Sequence, residues 1–135
     1  MNPQLKYKQA QSFSWTRIDM LLLIYEKAVH HLTDGVHLIE KGDTKSLILK
    51  RLSVQRVVLM IMEGIDPQFE ESEIPRQILR ICRYVIERTE SDSLDDWRSA
   101  LNVIQTIREG FQAVQDDARA AEYSGLVPAL DVVSR

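Results

Sequence analysis

The sequence predicts an all-α protein, most simply an antiparallel up-down-up-down four-helix bundle, on three observations. Apolar residues recur at three- and four-residue steps through four long segments. No segment alternates apolar and polar residues as a half-buried strand does, and no repeat of fixed period appears. The link between the first two segments is only a residue or two long, which forces long helices to lie side by side and antiparallel. A chain of 135 residues, 44% hydrophobic and 27% charged, has the size of one domain and can bury a core without disulfides or metals.

Up to Ser14 the chain is polar and Gln-rich apart from Leu5, Tyr7 and Phe13, and residues 1–15 read as an N-terminal arm ahead of a bundle over 16–122. Thr16 is the expected N-cap of the first helix, in which Ile18, Leu21, Leu22, Tyr25, Ala28, Val29, Leu32, Val36 and Ile39 share one stripe. Gly42 supplies its C-terminal stop. Asp43 or Thr44 caps a second helix, with Leu47, Ile48, Val54, Val58, Ile61 and Met62 facing inward until Gly64 and Pro67 interrupt the pattern.

The stretch "GIDPQFEESEIP" is acidic, contains two prolines and reads as a loop. Ser72 then caps a third helix, Pro75 being tolerated in the first turn because the amides there lack intrahelical partners. Its inward stripe is Ile74, Ile78, Ile81, Cys82, Val85 and Ile86. Ser93, with Asp96 three residues later, forms a variant capping box for a long fourth helix. That helix carries Leu94, Trp97, Leu101, Ile104, Phe111, Val114, Ala118 and Ala121 on one seam. Residues 123–135, with Gly125 and Pro128, read as a short C-terminal tail.

A formal net charge of -3 gives no general attraction for phosphate backbones, so nucleic acid is not an expected partner. No apolar stretch approaches the ~20 residues of a membrane-spanning helix, and the amino terminus has no signal-peptide pattern. The single cysteine, Cys82, has no internal disulfide partner, which favours a reducing, cytoplasmic setting.

Catalytic patterns are absent: the sequence has no phosphate-binding Gly-rich loop, no G-x-S-x-G and no Cys-centred nucleophile pattern. His30, Asp34 and His37 fall at i, i+4 and i+7 on one helical face, but without a fourth ligand they read as a solvated surface. The expectation is a protein that is not an enzyme and carries no metal or cofactor.

The run "MLLLIY" at residues 20–25 asks for more cover than one core stripe provides. Met20, Leu23 and Ile24 fall on the far side of the first helix, near Lys27. Helix 2 has a similar excess in "VVLMIM", where Val57 and Met60 leave the main stripe. An antiparallel hairpin brings the two excesses to the same end. Each such side chain gains ~1.5 to 3 kcal/mol on leaving water, so a contiguous group needs a cover. Another helix of the bundle, the arm with Leu5, Tyr7 and Phe13, or a different protein would serve.

The segment "TRIDMLLLIYEKAVHHLTDGVHLIEKGD" resembles the first helix and turn of the flagellin-export chaperones, the FliS family. The matching residues are Thr16, Ile24-Tyr25-Glu26, Ala28 and Gly42-Asp43, with Tyr7 where the family has a tyrosine in its arm. Farther on, "LRICRYVIER" is similar to the family's Leu-Tyr-x-Tyr helix, with Tyr84 kept and Cys82 in place of a tyrosine. Arg17 and Glu26 likewise stand where the family has proline and aspartate.

The resemblance covers roughly Tyr7 to Ala121. It implies an antiparallel helical bundle that holds the disordered C-terminal segment of flagellin in apolar grooves, preventing polymerisation before export. It further implies that the arm around Tyr7 packs over part of the groove when the client is absent. Tyr7, Met20, Leu23, Ile24, Lys27, Val57 and Met60 are then the candidate client-binding residues, with Lys27 as a rim charge. A flagellar export protein or co-chaperone is a further expected partner, and the chain is expected to be a monomer or weak homodimer. The alternative is a structural bundle that uses the same apolar face for homodimerisation or as an adaptor.

Overall fold

The computed structural model describes residues 16–65, 67–69 and 72–125. They form α1 (Arg17–Lys41), α2 (Thr44–Glu63), a short 3-10 turn (Pro67–Phe69), α3 (Glu73–Arg88), α4 (Leu94–Ala113) and α5 (Gln115–Tyr123). No strand occurs among the described residues, so the protein is all-helical. Tyr7 and the rest of the arm lie outside the described residues, as does the tail from residue 126.

The helix boundaries follow from local chemistry. Asp19 N–H donates to Thr16 Oγ1 at 3.4 Å, while Thr16 N–H and Oγ1 donate to Asp19 Oδ2 at 3.2 and 2.9 Å. These reciprocal bonds form a capping box that starts α1. At its other end Gly42 adopts φ +75°. Asp43 N–H reaches Leu38 O at 2.9 Å and Gly42 N–H reaches Ile39 O at 3.0 Å. This pair of bonds is a Schellman motif, and its left-handed residue favours glycine. The chain re-enters helix at once, because Asp43 Oδ1 accepts from Ser46 N–H at 3.1 Å and caps α2. Ser93 Oγ accepts from Asp96 N–H at 3.3 Å at the start of α4. The Asp96 carboxylate turns instead to Ser91 Oγ, at 2.7 Å.

By backbone contacts the described residues divide into two compact units, one within Ile24–Arg108 and the other made of residues 16–23 and 109–125. In the Ile24–Arg108 unit, Tyr25, Leu32, Leu47, Val54, Val58, Val85, Trp97 and Ile104 are fully buried. The turn at Gly42 folds α2 back on α1, so that Lys50 Nζ reaches Asp34 Oδ2 at 3.0 Å. Beyond that hairpin, α2 packs against α3. Arg51 ties α2 to the α3–α4 turn, where its Nε donates to Thr89 O at 2.6 Å and its Nη2 pairs with Asp92. The Trp97 ring lies over Gly35, where an added Cβ would sit 2.1 Å from a ring carbon. Its indole N–H donates to Ser91 O at 2.8 Å.

In the other unit, α5 packs on the first turns of α1. Asp19 Oδ1 accepts from Gln115 Nε2 and Arg119 Nε, each at 2.9 Å. Glu122 accepts from the Arg17 backbone N–H at 3.3 Å, where the unsatisfied amides of a helix start favour a carboxylate.

The structure departs from the sequence reading in three places. The seam expected to run unbroken to Ala121 stops at Ala113, and Val114 leaves helical geometry with φ −107° and ψ 8° before α5 begins. Gly110 weakens the end of α4, while Asp116 and Asp117 suit the positive end of a new helix dipole. Ile74, placed on the buried stripe of α3, is 65% exposed in its first turn. In α2 the buried face is Leu47, Val54, Val57, Val58 and Ile61, so Val57 replaces the exposed Ile48 in the core.

Candidate functional site

The candidate residues occupy different environments. On α1, Met20, Leu23 and Ile24 are half-buried and Lys27 is exposed. On α2, Val57 is 5% exposed, within the core, while Met60, one turn on, is 42% exposed. The two lie on either side of the boundary between the buried and wet faces of α2. Val57 therefore does not face outward as its place on the sequence wheel suggests. Tyr7 lies outside the described residues.

Beside Met60, α2 exposes Ile48, which the apolar spacing places on the inward stripe, and three leucines that the spacing does not assign to the client surface. Ile48 is 58% exposed, Leu49 69%, Leu52 53% and Leu59 48%. With Met60 they run the length of the helix opposite its core face. The signal was present in the 3- and 4-residue steps from Leu49 through Leu52 and Arg56 to Leu59. It was hidden because α2 is apolar on both faces, and a wheel cannot phase a helix with two stripes.

Each unit has an apolar recess the size of one or two side chains. At the end of α2, Met62, Ile65, Pro67 and Leu79 line an apolar recess of about 270 Å³. In the other unit, Ile18, Leu21, Ala118 and Ala121 line one of about 240 Å³. Both fall below the ~300–1,000 Å³ usual for small-molecule sites. A wider groove of about 450 Å³ between α1 and α2 is mixed in character, with Asp34, His37, Lys41 and Lys50 beside Leu38 and Leu49.

The polar face of α1 is held by ion pairs. Burial alone would raise the pKa of Asp34, but the hydrogen bond and charge of Lys50 outweigh it and hold the carboxyl below its ordinary value. His30 Nε2 approaches the same carboxylate at 3.4 Å, whereas His37 Nδ1 turns to Glu40 Oε1, also at 3.4 Å. Among the described residues no group of three or more His, Cys, Asp or Glu side chains could hold a metal ion. Burial lowers the pKa of His31, and Lys50 adds to the effect.

Burial pushes the Cys82 thiol up to about 11. Such a thiol carries little thiolate near neutrality, so it is a core residue rather than a nucleophile. A maleimide or disulfide reagent should label Cys82 at least ~100-fold more slowly than a free cysteine at pH 8, and at the ordinary rate in denaturant. Rapid labelling of the native protein would contradict the packing of α3.

Comparison of the chain with protein-family models, with curated proteins and with solved structures finds no match. Fold and site together define a class: an all-α protein with an apolar stripe on the outside of one helix. No helix among the described residues is long and apolar enough to cross a membrane.

Proposed function

We propose that this chain is a cytoplasmic, non-enzymatic export chaperone that binds the disordered C-terminal segment of flagellin, or of a flagellin-like filament protein. Holding that segment keeps it from polymerising before flagellar type III secretion. In this reading the helices are arranged as an up-down-up-down bundle, with α5 continuing the fourth helix beyond the break at Val114. The observation that carries the proposal is the row of large apolar side chains left exposed along α2. The resemblance at Thr16–Asp43 and around Tyr84 supplies the client.

The physics is that of an amphipathic segment folding into apolar grooves. Anchors at helical spacing enter side-chain-sized recesses, and affinity is reduced by the cost of ordering the client. Met60 suits such a surface, because an unbranched thioether adapts to varied apolar partners. Lys27, exposed on α1, serves as a rim charge.

Titration with a flagellin C-terminal peptide should release heat, with a negative heat-capacity change from apolar burial. Hydrogen exchange in α1 and α2 should slow on binding. Replacing Leu52 or Leu59 with aspartate should weaken binding by roughly tenfold or more, as expected for truncating a buried anchor. No heat and no protection of either helix would rule out this client.

A further inference from the structure

The outer face of α2 is self-complementary, and this does not depend on which client the protein binds. Lys45, Leu49, Leu52, Arg56, Leu59 and Glu63 follow one another at steps of four, three, four, three and four, and all six are exposed. That is the spacing of a two-helix seam. The row is also symmetric about Val54. Lys45 and Glu63 lie nine residues to either side of it, Leu49 and Leu59 five, and Leu52 and Arg56 two. Ile48 and Met60, each six residues away, flank the row.

A two-fold axis running past the outer face of α2 at the level of Val54, between the two copies, therefore lays the helix antiparallel on its own copy. Leu49 of each copy then meets Leu59 of the other, and Lys45 meets Glu63 twice. A parallel pairing would instead set Lys45 against Lys45 and Glu63 against Glu63, so charge selects the antiparallel arrangement. None of Lys45, Arg56 and Glu63 forms an ion pair among the described residues, which leaves their charges for a partner.

We propose that α2 forms an isologous antiparallel homodimer through Leu49, Leu52 and Leu59, its direction set by reciprocal Lys45–Glu63 pairs. The contact is one helix long, roughly 30 Å. A single helix pair covers less than the ~1,200 Å² of a standard stable interface, so the dimer is weak and reversible. Arg56 keeps it so: two guanidinium groups flank the axis, their stems lying on Leu52 and their heads turned to water.

Sedimentation velocity on the full chain, from ~10 μM to ~1 mM, spans the range of a weak, small interface. It should show a monomer–dimer equilibrium that Leu52→Asp abolishes and Arg56→Leu tightens roughly tenfold or more. Lys45→Glu and Glu63→Lys should each weaken it roughly tenfold, because each turns two attractive pairs repulsive. A mixture of those two variants should associate at least as tightly as the original chain, since every pair across that heterodimer is again of opposite sign. All of these positions are exposed, so unchanged circular dichroism checks that the variants fold. Failure of both the original chain and Arg56→Leu to associate would overturn the proposal. So would association that Leu52→Asp leaves intact, or a mixture no tighter than its separate components.

Discussion

Replacing Gly35 with alanine should destabilise the protein by about 3 kcal/mol, although alanine is the better helix former. Thermal unfolding should then fall by roughly 10 °C. The new Cβ would sit 2.1 and 2.4 Å from two carbons of the Trp97 ring, distances at which one side must move. Trp97 is fully buried and its indole N–H is held by Ser91 O, so moving the ring opens a void and strains that bond. The helix-propensity gain of about 1 kcal/mol is the smaller effect.

Trp97→Leu alone should cost about 3 kcal/mol through the space it leaves. Combined with Gly35→Ala it should cost less than the sum of the two, because the new methyl occupies part of that space. Simple additivity in denaturant titrations would show that α1 and α4 do not meet at this point.

The all-helical fold was legible because its determinants are local. Thr16 with Asp19, Gly42 with Asp43, and Ser93 with the amide of Asp96 are written within four residues of one another, and each marks a helix end. What escaped the sequence depends on which of two apolar faces turns inward. Leu47, Ile48 and Leu49 are consecutive, as are Val57 to Met62, and composition does not distinguish them. Long-range polar contacts settle the phase: Lys50 reaches Asp34 on α1 and Arg51 reaches Thr89 after α3, which leaves Ile48, Leu49 and Leu52 outside. The break at Val114 escaped for another reason. The spacing Phe111, Val114, Ala118 continues across it, so apolar periodicity alone joins α4 to α5.

The same two-faced helix links the two functional proposals. A surface exposed for a client must be covered, weakly, when the client is away, or it aggregates. In the proposed dimer a self-complementary row with an arginine near its centre provides that cover, because the pairing is loose enough to be displaced. Met60 belongs to both readings. A client that engages α2 should therefore convert dimer to monomer, with apparent affinity falling as the concentration of this protein rises.

Arg119→Met should loosen α5 from the start of α1 and cost about 2–3 kcal/mol, more than Asp19→Asn at the other end of the same ion pair. The asymmetry follows from exposure. The Asp19 side chain is 8% exposed and that of Arg119 39%. Removing the arginine strands a buried carboxylate that retains only Gln115 and Thr16, whereas removing the charge on Asp19 leaves a guanidinium that can turn to water. Burial alone would raise the pKa of Asp19, but the hydrogen bonds from Arg119, Gln115 and Thr16 prevail and hold it below its ordinary value of 3.8.

A carboxyl with its pKa depressed in the folded state contributes stability that is present above the unfolded value and lost as pH falls through the folded one. Acid unfolding of the parent should therefore steepen below pH ~4, and Asp19→Asn should remove that part of the pH dependence while leaving the neutral region parallel. Hydrogen exchange of the α5 amides, residues 115–123, reads the local effect directly. Exchange should quicken in Arg119→Met more than in Asp19→Asn, and the double variant should cost less than the two singles added. Equal exchange in Arg119→Met and the parent would mean that apolar packing around the recess lined by Ile18, Leu21, Ala118 and Ala121, rather than the ion pair, holds α5 in place.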